Sequence, residues 1–348
     1  MSNAYIIFER IDVQGANCIA GFTYGFPAVT NFLGFGHVLS RKLNQSRQLQ
    51  LRGCAVICHN HQLHAYQPRG YRDYVFAQTK NPPREKGKDN KGREKAEISP
   101  PIVEEGKMNM TVSLIMECPC FTITRQAEID AFEQQLISLA FQHHLAGGSI
   151  QCIEAVHVLT KKSDPEEKKK QMRHIKRVLL PGFVLMDRTD LLAEYYQQKK
   201  QNNPYVEFID AWLDFSAIKY EANPLLKENE TEPNDKTEAE WVRIDKPAMG
   251  WLVPITKGYK AISPVCAPGE VANTRNPDCP FCFVEAAHGL GEWRSLHRIQ
   301  NVSEILWQFH YEPGWYLCRQ GPPTEHQPEK AEIHNIENEI EDNFLNSL

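Results

Sequence analysis

The order of strand and helix patterns in residues 1–160 constrains the fold most. Runs of apolar, β-branched and aromatic residues predict four strands, at Ala4–Val13, Leu49–His59, Met108–Cys118 and Ser149–Leu159. Helical periodicity predicts helices from Pro27 to Asn44 and from Arg125 to Leu145, the second stopped by Gly147 and Gly148. The order strand, helix, strand, strand, helix, strand is that of a ferredoxin-like βαββαβ unit. The sequence therefore predicts an α+β, ferredoxin-like fold, which hosts many functions and does not decide among them.

The formal net charge of −5 is unevenly distributed. Seven acidic residues face one lysine from Gly321 to Leu348, and seven face two lysines from Tyr220 to Glu240. Removing the −6 and −5 of these two segments leaves a body of +6. The negative net charge therefore does not exclude a polyanionic partner.

That body contains two basic runs. The first, Lys80–Lys95, has seven Lys or Arg against three acids and is broken by proline and glycine, so it predicts a mobile projection outside the core. The second predicts a helix that begins near Pro165 and carries Lys168, Lys169, Lys170, Arg173, Lys176 and Arg177. A solvated charged face is the alternative for each run, but two runs in one domain favour a binding surface.

The final third of the chain mixes aromatic rings, cations, glycine and proline. Trp251, Tyr259 and Trp293 offer rings on which the bases of single-stranded nucleic acid stack, while neighbouring Lys and Arg attract its phosphates. The alternative is a loop-rich domain that packs its own tryptophans.

Composition and local patterns narrow the class of protein and its organisation. No apolar run is long enough to span a membrane, and Met1–Phe8 lacks the features of a signal peptide, so we expect a cytoplasmic protein. Ten irregularly spaced cysteines indicate reduced thiols. The expected parts are a palm (1–160) with an insertion at about 78–103, a basic helix and connecting helices (161–220), an acidic linker (221–240), a loop-rich C-terminal region (241–320) and a disordered acidic tail (321–348).

Nine co-linear blocks resemble a known family. They are QGANCIAGFTYGFPAVTNFLGFGHVL, AVICH, QPRG, IVEEG, LAGGSI, LLPGFVL, GWLVPITKGYKAISP, PGEVANTR and FVEAAHGLGEWRSLHRI. From about Ile11 to Trp307, their order is similar to that in the second subunit of the Csy complex, the Cas-five-type protein of type I-F CRISPR surveillance complexes. The acidic tail, the acidic stretch near Glu230 and much of the basic insertion lie outside the resemblance.

The resemblance implies a non-catalytic subunit with a RAMP-type palm, present once in a hetero-oligomer and without cofactor or metal. It implies binding to the 5′ handle of CRISPR RNA, pairing with a Cas-eight-type large subunit, contact with a Cas-seven-type backbone subunit, and access to target double-stranded DNA through the complex. The guide, not this chain, would then read the target sequence. The insertion at about 78–103 corresponds to a thumb-like hairpin in the family.

Candidate RNA-binding residues follow from this placement. The α-helical cations would neutralise phosphates, the Gly147–Ser149 turn would present backbone N–H groups, and aromatic side chains would stack on bases. For Phe26 the alternative is burial, for the glycines a helix C-cap, and for the distal residues contact with the large subunit. The full set is Tyr24, Phe26, Asn31, His37, Arg41, Arg72, Lys80, Gly147, Gly148, Ser149, Lys169, Arg173, Lys176, Arg177, Tyr259, Ser263, Arg275, Trp293, His297 and Arg298.

Three enzymatic or metal-binding alternatives remain open at this point. His59, His61 and His64 have the spacing of ligands in a metal-dependent hydrolase, although the cluster contains no acid. Cys279 and Cys282 form a single CxxC, which is weak evidence for structural zinc. An RNA-processing endonuclease of the same superfamily would need a general base, for which His37 is the candidate.

Overall fold

The structure, a computed structural model, describes residues 2–70, 74–77, 105–225, 237–274 and 276–321. The strands are β1 (Ser2–Asn17), β2 (Ile19–Ala20), β3 (Thr23–Tyr24), β4 (Arg52–Leu63), β5 (Ala65–Tyr66), β6 (Val75–Phe76), β7 (Lys107–Phe121), β8 (His144–Leu145), β9 (Gly148–Thr160), β10 (Phe183–Asp187), β11 (Lys219–Pro224), β12 (Ala239–Ile244), β13 (Leu252–Ala261), β14 (Val284–Ser295), β15 (Trp307–Glu312) and β16 (Trp315–Gln320). The helices are α1 (Val29–Arg47), α2 (Gln126–Phe141), α3 (Pro165–Leu179), α4 (Thr189–Asn202) and α5 (Phe208–Ser216), and two short 3₁₀ turns lie at Leu296–Arg298 and Val302–Glu304.

The four long strands of the N-terminal part pair in the order β9-β1-β7-β4, and every pair is antiparallel. The predictions of four strands and of helices α1 and α3 are confirmed in position. Successive residues of a strand point to opposite faces of the sheet, and both faces are covered here. Phe8 and Leu114 pack with residues of α1 and α2 on one face, while Ile7 and Ile115 pack with residues of α3 on the other.

Helix α2 ends four residues earlier than the sequence predicts. The chain leaves the helix after Phe141 and forms the β8–β9 hairpin, whose two turn residues Ala146 and Gly147 both have positive φ, at 52° and 74°. Gly148 is buried against β1, and a Cβ there would lie 2.7 Å from the backbone nitrogen of Ala16. These glycines therefore make a hairpin turn and a close strand contact, and the C-cap interpretation is wrong.

The prediction of a loop-rich region over 241–320 is wrong for β13 to β16, although 262–283 lacks a long strand. These strands extend one sheet to the order β10-β14-β13-β16-β15-β4-β7-β1-β9-β8. Pro254 fits in β13 because the described pairing with β16 begins only at Gly258, so one edge of β13 has no partner there. A Cβ at Gly258 would lie 2.0 Å from the carbonyl oxygen of Tyr316, so the strands approach closely because this residue has no side chain.

Strand β4 joins the N-terminal strands to the C-terminal ones, because one of its edges pairs with β7 and the other pairs with β10 and β15. Cys54 pairs with Trp307 of β15, and Ile57 pairs with Val184 of β10. The pairings therefore close a ring through β4, β10, β14, β13, β16 and β15. This ring places the start of β10 beside Ile57 and Cys58 in the middle of β4.

The other predicted parts stand as follows. Residues 161–220 form α3, β10, α4 and α5, and the two ends of the predicted acidic linker pair as the β11–β12 hairpin. The thumb-like insertion at 78–103 and residues 322–348 of the predicted tail lie outside the described residues. The domain boundaries stay a prediction. Within the described part of the chain, none of the helices has the length and apolarity needed to cross a bilayer.

Candidate nucleic-acid interface

A cavity of about 470 Å³ opens where β4, β10, β13 and β14 meet the segment that leads into α1. Its walls are mainly apolar and aromatic, with a few polar side chains from the end of β4. The lining residues that matter for chemistry are Tyr24, Phe26, His59, Asn60, His61, Phe183, Trp251, Thr256 and Trp293. A concave, aromatic site with few polar groups is suited to a planar heterocycle such as a base.

Two pairs of aromatic rings shape this cavity. The ring of Phe26 stacks on Phe32, with centroids 5.6 Å apart, and meets the edge of Trp293 at 4.8 Å. Phe26 is half-buried: it packs against the core, as the burial alternative expects, and also forms a wall of the cavity. Phe183 and Trp251 meet edge to face at 5.4 Å and are 41% and 54% exposed, so their rings remain open to a ligand.

Sequence patterns alone did not predict that Phe183 and Trp251 lie together. Trp251 is visible as a stacking plane from its residue type, but Phe183 sits in an apolar run that predicts only a strand. The β10–β14 pairing places Leu185 opposite Trp293 and Phe183 opposite Ser295, which brings β10 to the cavity. Only this long-range register adds Phe183 to the site.

His59 belongs to a chain of hydrogen bonds at the cavity edge. Its Nδ1 lies 2.7 Å from the carbonyl oxygen of Pro181, which can only accept, so Nδ1 carries the proton. Its Nε2 lies 2.7 Å from the hydroxyl of Ser113 and accepts from it, and that hydroxyl accepts from the backbone N–H of Arg10 at 2.8 Å. Burial lowers the pKa of His59 and so keeps the ring neutral. The hydrogen bond to the Pro181 carbonyl acts in the opposite direction.

This geometry argues against the metal-site alternatives. Both ring nitrogens of His59 already have protein partners, so neither is available to a metal ion. The thiol of Cys282 donates to the carbonyl oxygen of Ser263, and Cys279 accepts from the side-chain amide of Asn276. Among the described residues, no three His, Cys, Asp or Glu side chains are grouped so as to hold a metal ion.

The burial of His59 predicts a pH-dependent stability. A folded-state pKa below the unfolded value stabilises the fold above the unfolded pKa of about 6.5, and this contribution is lost as pH falls. We therefore expect the free energy of unfolding to fall between pH 7.5 and 5.5, and to fall less in His59→Gln. Urea unfolding at both pH values measures this, with His61→Gln, an exposed neighbour, as the control. A pH dependence identical in all three proteins would contradict the assignment.

Helix α3 presents a row of basic side chains to solvent. Asp164 caps its N-terminus by accepting from the N–H of Glu167, and Pro165 occupies its first turn. Met172, Ile175 and Leu179 face the core, which leaves the cations on the solvent side. Lys169 pairs with Glu166 at 2.8 Å, whereas no ion pair among the described residues uses Arg173 or Arg177.

The predicted residues His297 and Arg298 lie beside α3. Lys176 donates to the carbonyl oxygen of His297 at 2.8 Å, so this lysine positions the turn and is less free for a phosphate than predicted. The N–H of Leu296 donates to the carbonyl oxygen of Gly182, at the start of β10. Helix α3 and the Leu296–Arg298 turn are therefore linked to the cavity through residues 180–183, while α3 itself packs on the face of the sheet opposite α1.

Apart from Tyr259 and Ser263, the remaining predicted residues fall into four groups. Tyr24 lines the cavity; burial raises its pKa to about 12, and its ring contacts Phe76 at 3.9 Å. Asn31 is half-buried at the start of α1, and His37 and Arg41 are exposed on the same helix. Gly147 and Ser149 lie at the β8–β9 hairpin, and buried Gly148 contacts β1. Arg72, Lys80 and Arg275 lie outside the described residues.

Tyr259 and Ser263 are not part of the cavity. Tyr259 pairs with Ala286, seven positions along β14 from Trp293, which is about 23 Å of strand. Ser263 accepts from the N–H of Phe283 and supports the 262–283 loop. These two residues therefore form a separate surface from Tyr24, Phe26 and Trp293.

Comparison with known proteins agrees with this placement of the blocks. The family model described as CRISPR-associated protein (Cas_Csy2) matches residues 6–318. CRISPR-associated protein Csy2 of Pseudomonas aeruginosa (strain UCBPP-PA14) is 36% identical over 336 residues, which cover 92% of this chain and 95% of that protein. The match to the family model includes the residues that line the cavity and those of α3. The chain therefore belongs to the Csy2 family of the type I-F CRISPR system.

Proposed function

We propose that this chain is the Cas-five-type, non-catalytic subunit of a type I-F CRISPR complex and binds the 5′ handle of CRISPR RNA. The observation that carries the proposal is an aromatic cavity that the short 180–182 connection joins to the basic helix α3. Single-stranded RNA is recognised by stacking of unpaired bases and by cations along its backbone, and the two surfaces supply these separately. Family membership supports the same role.

In this proposal an unstacked handle base enters the cavity. Trp251 and Phe183 offer ring faces, and the exposed side chains of Asn60 and His61 lie within the lining as hydrogen-bonding groups for the base edge. The RNA backbone then passes the 180–182 connection to reach α3, where Arg173 and Arg177 neutralise its phosphates. The carbonyl of Pro181, which accepts from His59, keeps the α3–β10 connection in place between the two surfaces.

We also propose that the palm is ferredoxin-like and of the RAMP type. The antiparallel order β9-β1-β7-β4, with α1 and α2 packed on one face, supports this assignment. The proposed partners are the Cas-eight-type large subunit, the Cas-seven-type backbone subunit and, through the complex, target DNA in the cytoplasm. His37, the base that RNA cleavage would need, is a solvent-exposed residue of α1 outside the cavity lining, which favours the non-catalytic role.

Replacing Trp251 tests the cavity directly. Loss of one base–aromatic stack costs about 1–3 kcal/mol, so Trp251→Ala is expected to weaken binding of handle RNA by roughly 5- to 150-fold. The measurement is equilibrium binding of a labelled handle oligonucleotide, repeated with a set of oligonucleotides that each lack one base. One abasic position should remove the effect of Trp251→Ala, because the stacked base is then already absent.

A matched control is Tyr311→Ala, which removes a similarly exposed ring from β15. It should leave the affinity for handle RNA unchanged. If Trp251→Ala binds as tightly as the unmodified protein on every oligonucleotide, the cavity does not hold a base and the proposed site is wrong.

A further inference from the structure

The β11–β12 hairpin projects from the body as an exposed two-stranded arm. Eleven of its twelve strand residues are exposed, and β11 and β12 contact chiefly each other. A two-stranded hairpin is marginally stable alone in water, yet the base of this arm is anchored on both strands. The Lys219 ammonium contacts Asp214, and Lys246, just after β12, donates to the carbonyl oxygen of Leu252 at 2.8 Å.

Both faces of the arm carry large apolar side chains. Strand pairing places Tyr220 and Trp241 on one face, 56% and 70% exposed, and Val242 and Ile244 on the other. A partner that lies flat against the arm would cover one face only. A groove that receives the arm would cover both, and tryptophan and tyrosine are the side chains most often found at the centre of such interfaces.

The charge of the arm decides between a protein and a nucleic acid as partner. In its described residues the arm carries three acids, Glu221, Glu238 and Glu240, and two cations, Arg243 and Lys219, of which Lys219 contacts Asp214 at the base. This excess of acid repels phosphates but complements a groove edged by Lys or Arg.

We propose that the β11–β12 arm inserts into an apolar groove with a basic rim on a protein partner. Building on the function proposed above, this partner is the Cas-eight-type large subunit. The arm would then be a protein-docking element that is separate from the RNA cavity and from α3.

The test is binding of the purified full-length chain to the large subunit, with handle RNA affinity measured in parallel. Trp241→Ala is expected to weaken binding to the large subunit by about 30-fold or more, as for a central interface tryptophan. Tyr205→Ala, which removes a 91% exposed ring elsewhere, should have no effect. The charge reversal Glu221→Lys with Glu240→Lys should also weaken binding, most strongly at low salt. Handle RNA affinity should be unchanged in all of these variants.

Each contrary result overturns a different statement. If the unmodified chain binds handle RNA but Trp241→Ala and the charge reversal both bind the large subunit normally, the docking arm is wrong while the proposed function stands. If the charge reversal instead raises RNA affinity and leaves binding to the large subunit unchanged, the arm faces nucleic acid. If the unmodified chain does not bind the large subunit, the proposed partner is wrong and the arm's assignment falls with it.

Discussion

Replacing Lys170, Arg173 and Arg177 of α3 with glutamine should weaken binding of handle RNA by roughly 50-fold at 0.15 M salt. These side chains lie on the solvent face of α3, opposite the buried Met172, Ile175 and Leu179, so the helix should remain folded. Each phosphate contact to a single strand contributes about −0.7 to the slope of log affinity against log salt concentration. Loss of three contacts should therefore make that negative slope shallower by about 2.

The matched control removes the same total charge from other surfaces. Lys42→Gln, Arg125→Gln and Lys200→Gln change exposed cations on α1, at the start of α2 and on α4. This triple variant should keep the salt slope of the unmodified protein. An equal reduction in both triple variants would mean that RNA responds to net charge alone, and α3 would lose its assigned role.

Trp307→Ala should reduce the free energy of unfolding by about 3–5 kcal/mol, the cost of truncating a large buried aromatic residue. Trp307 is fully buried where β4, β10 and β15 meet, and its Nε1 donates to the carbonyl oxygen of Leu185 at 3.0 Å. The variant leaves a cavity at the point that closes the ring of strands. Gln320 still donates to the same carbonyl, so the loss comes mainly from packing.

Urea unfolding, followed by far-UV circular dichroism, gives this free energy. Trp315→Ala is the comparison, because Trp315 is only half-buried and its ring contacts the ammonium of Lys260 at the surface. We expect a clearly smaller loss there. Equal losses in the two variants would show that Trp307 does not hold β4, β10 and β15 together.

Local periodicity predicted the N-terminal elements well because their signals are carried by neighbouring residues. The alternation in β1 and β7 and the helical spacing in α1 appear directly in the printed sequence. The end of α2 was mispredicted because a glycine after a helical run is typical of both a C-cap and a hairpin turn. The positive φ of Ala146 distinguishes them, and no local pattern predicts it.

The C-terminal strands illustrate information that is not local. Pro254 and Gly258 are typical of loops, yet both lie in β13. Pro254 fits because β16 does not reach it, and Gly258 because β16 approaches closely, so both reasons depend on a strand more than fifty residues later. Sequence patterning alone could not supply either reason.

The candidate site was also predicted only in part, because long-range strand pairing decides which residues meet there. Residue type and resemblance identified Tyr24, Phe26 and Trp293, which the fold brings to one cavity. Placing Phe183 required the pairing of β10 with β14, and the hydrogen bond between His59 and Ser113 required the pairing of β4 with β7. The sequence identified aromatic and basic residue types, and strand register decided which of them meet.

The most direct test of the central claim is the affinity of the chain, co-purified with the proposed large subunit, for type I-F CRISPR RNA with and without the 5′ handle at two salt concentrations. A handle-binding subunit predicts that removing the handle weakens binding by roughly 10²-fold or more, because a stacked base and three phosphate contacts are lost. It also predicts that the RNA is recovered intact. Equal affinity with and without the handle would contradict the account.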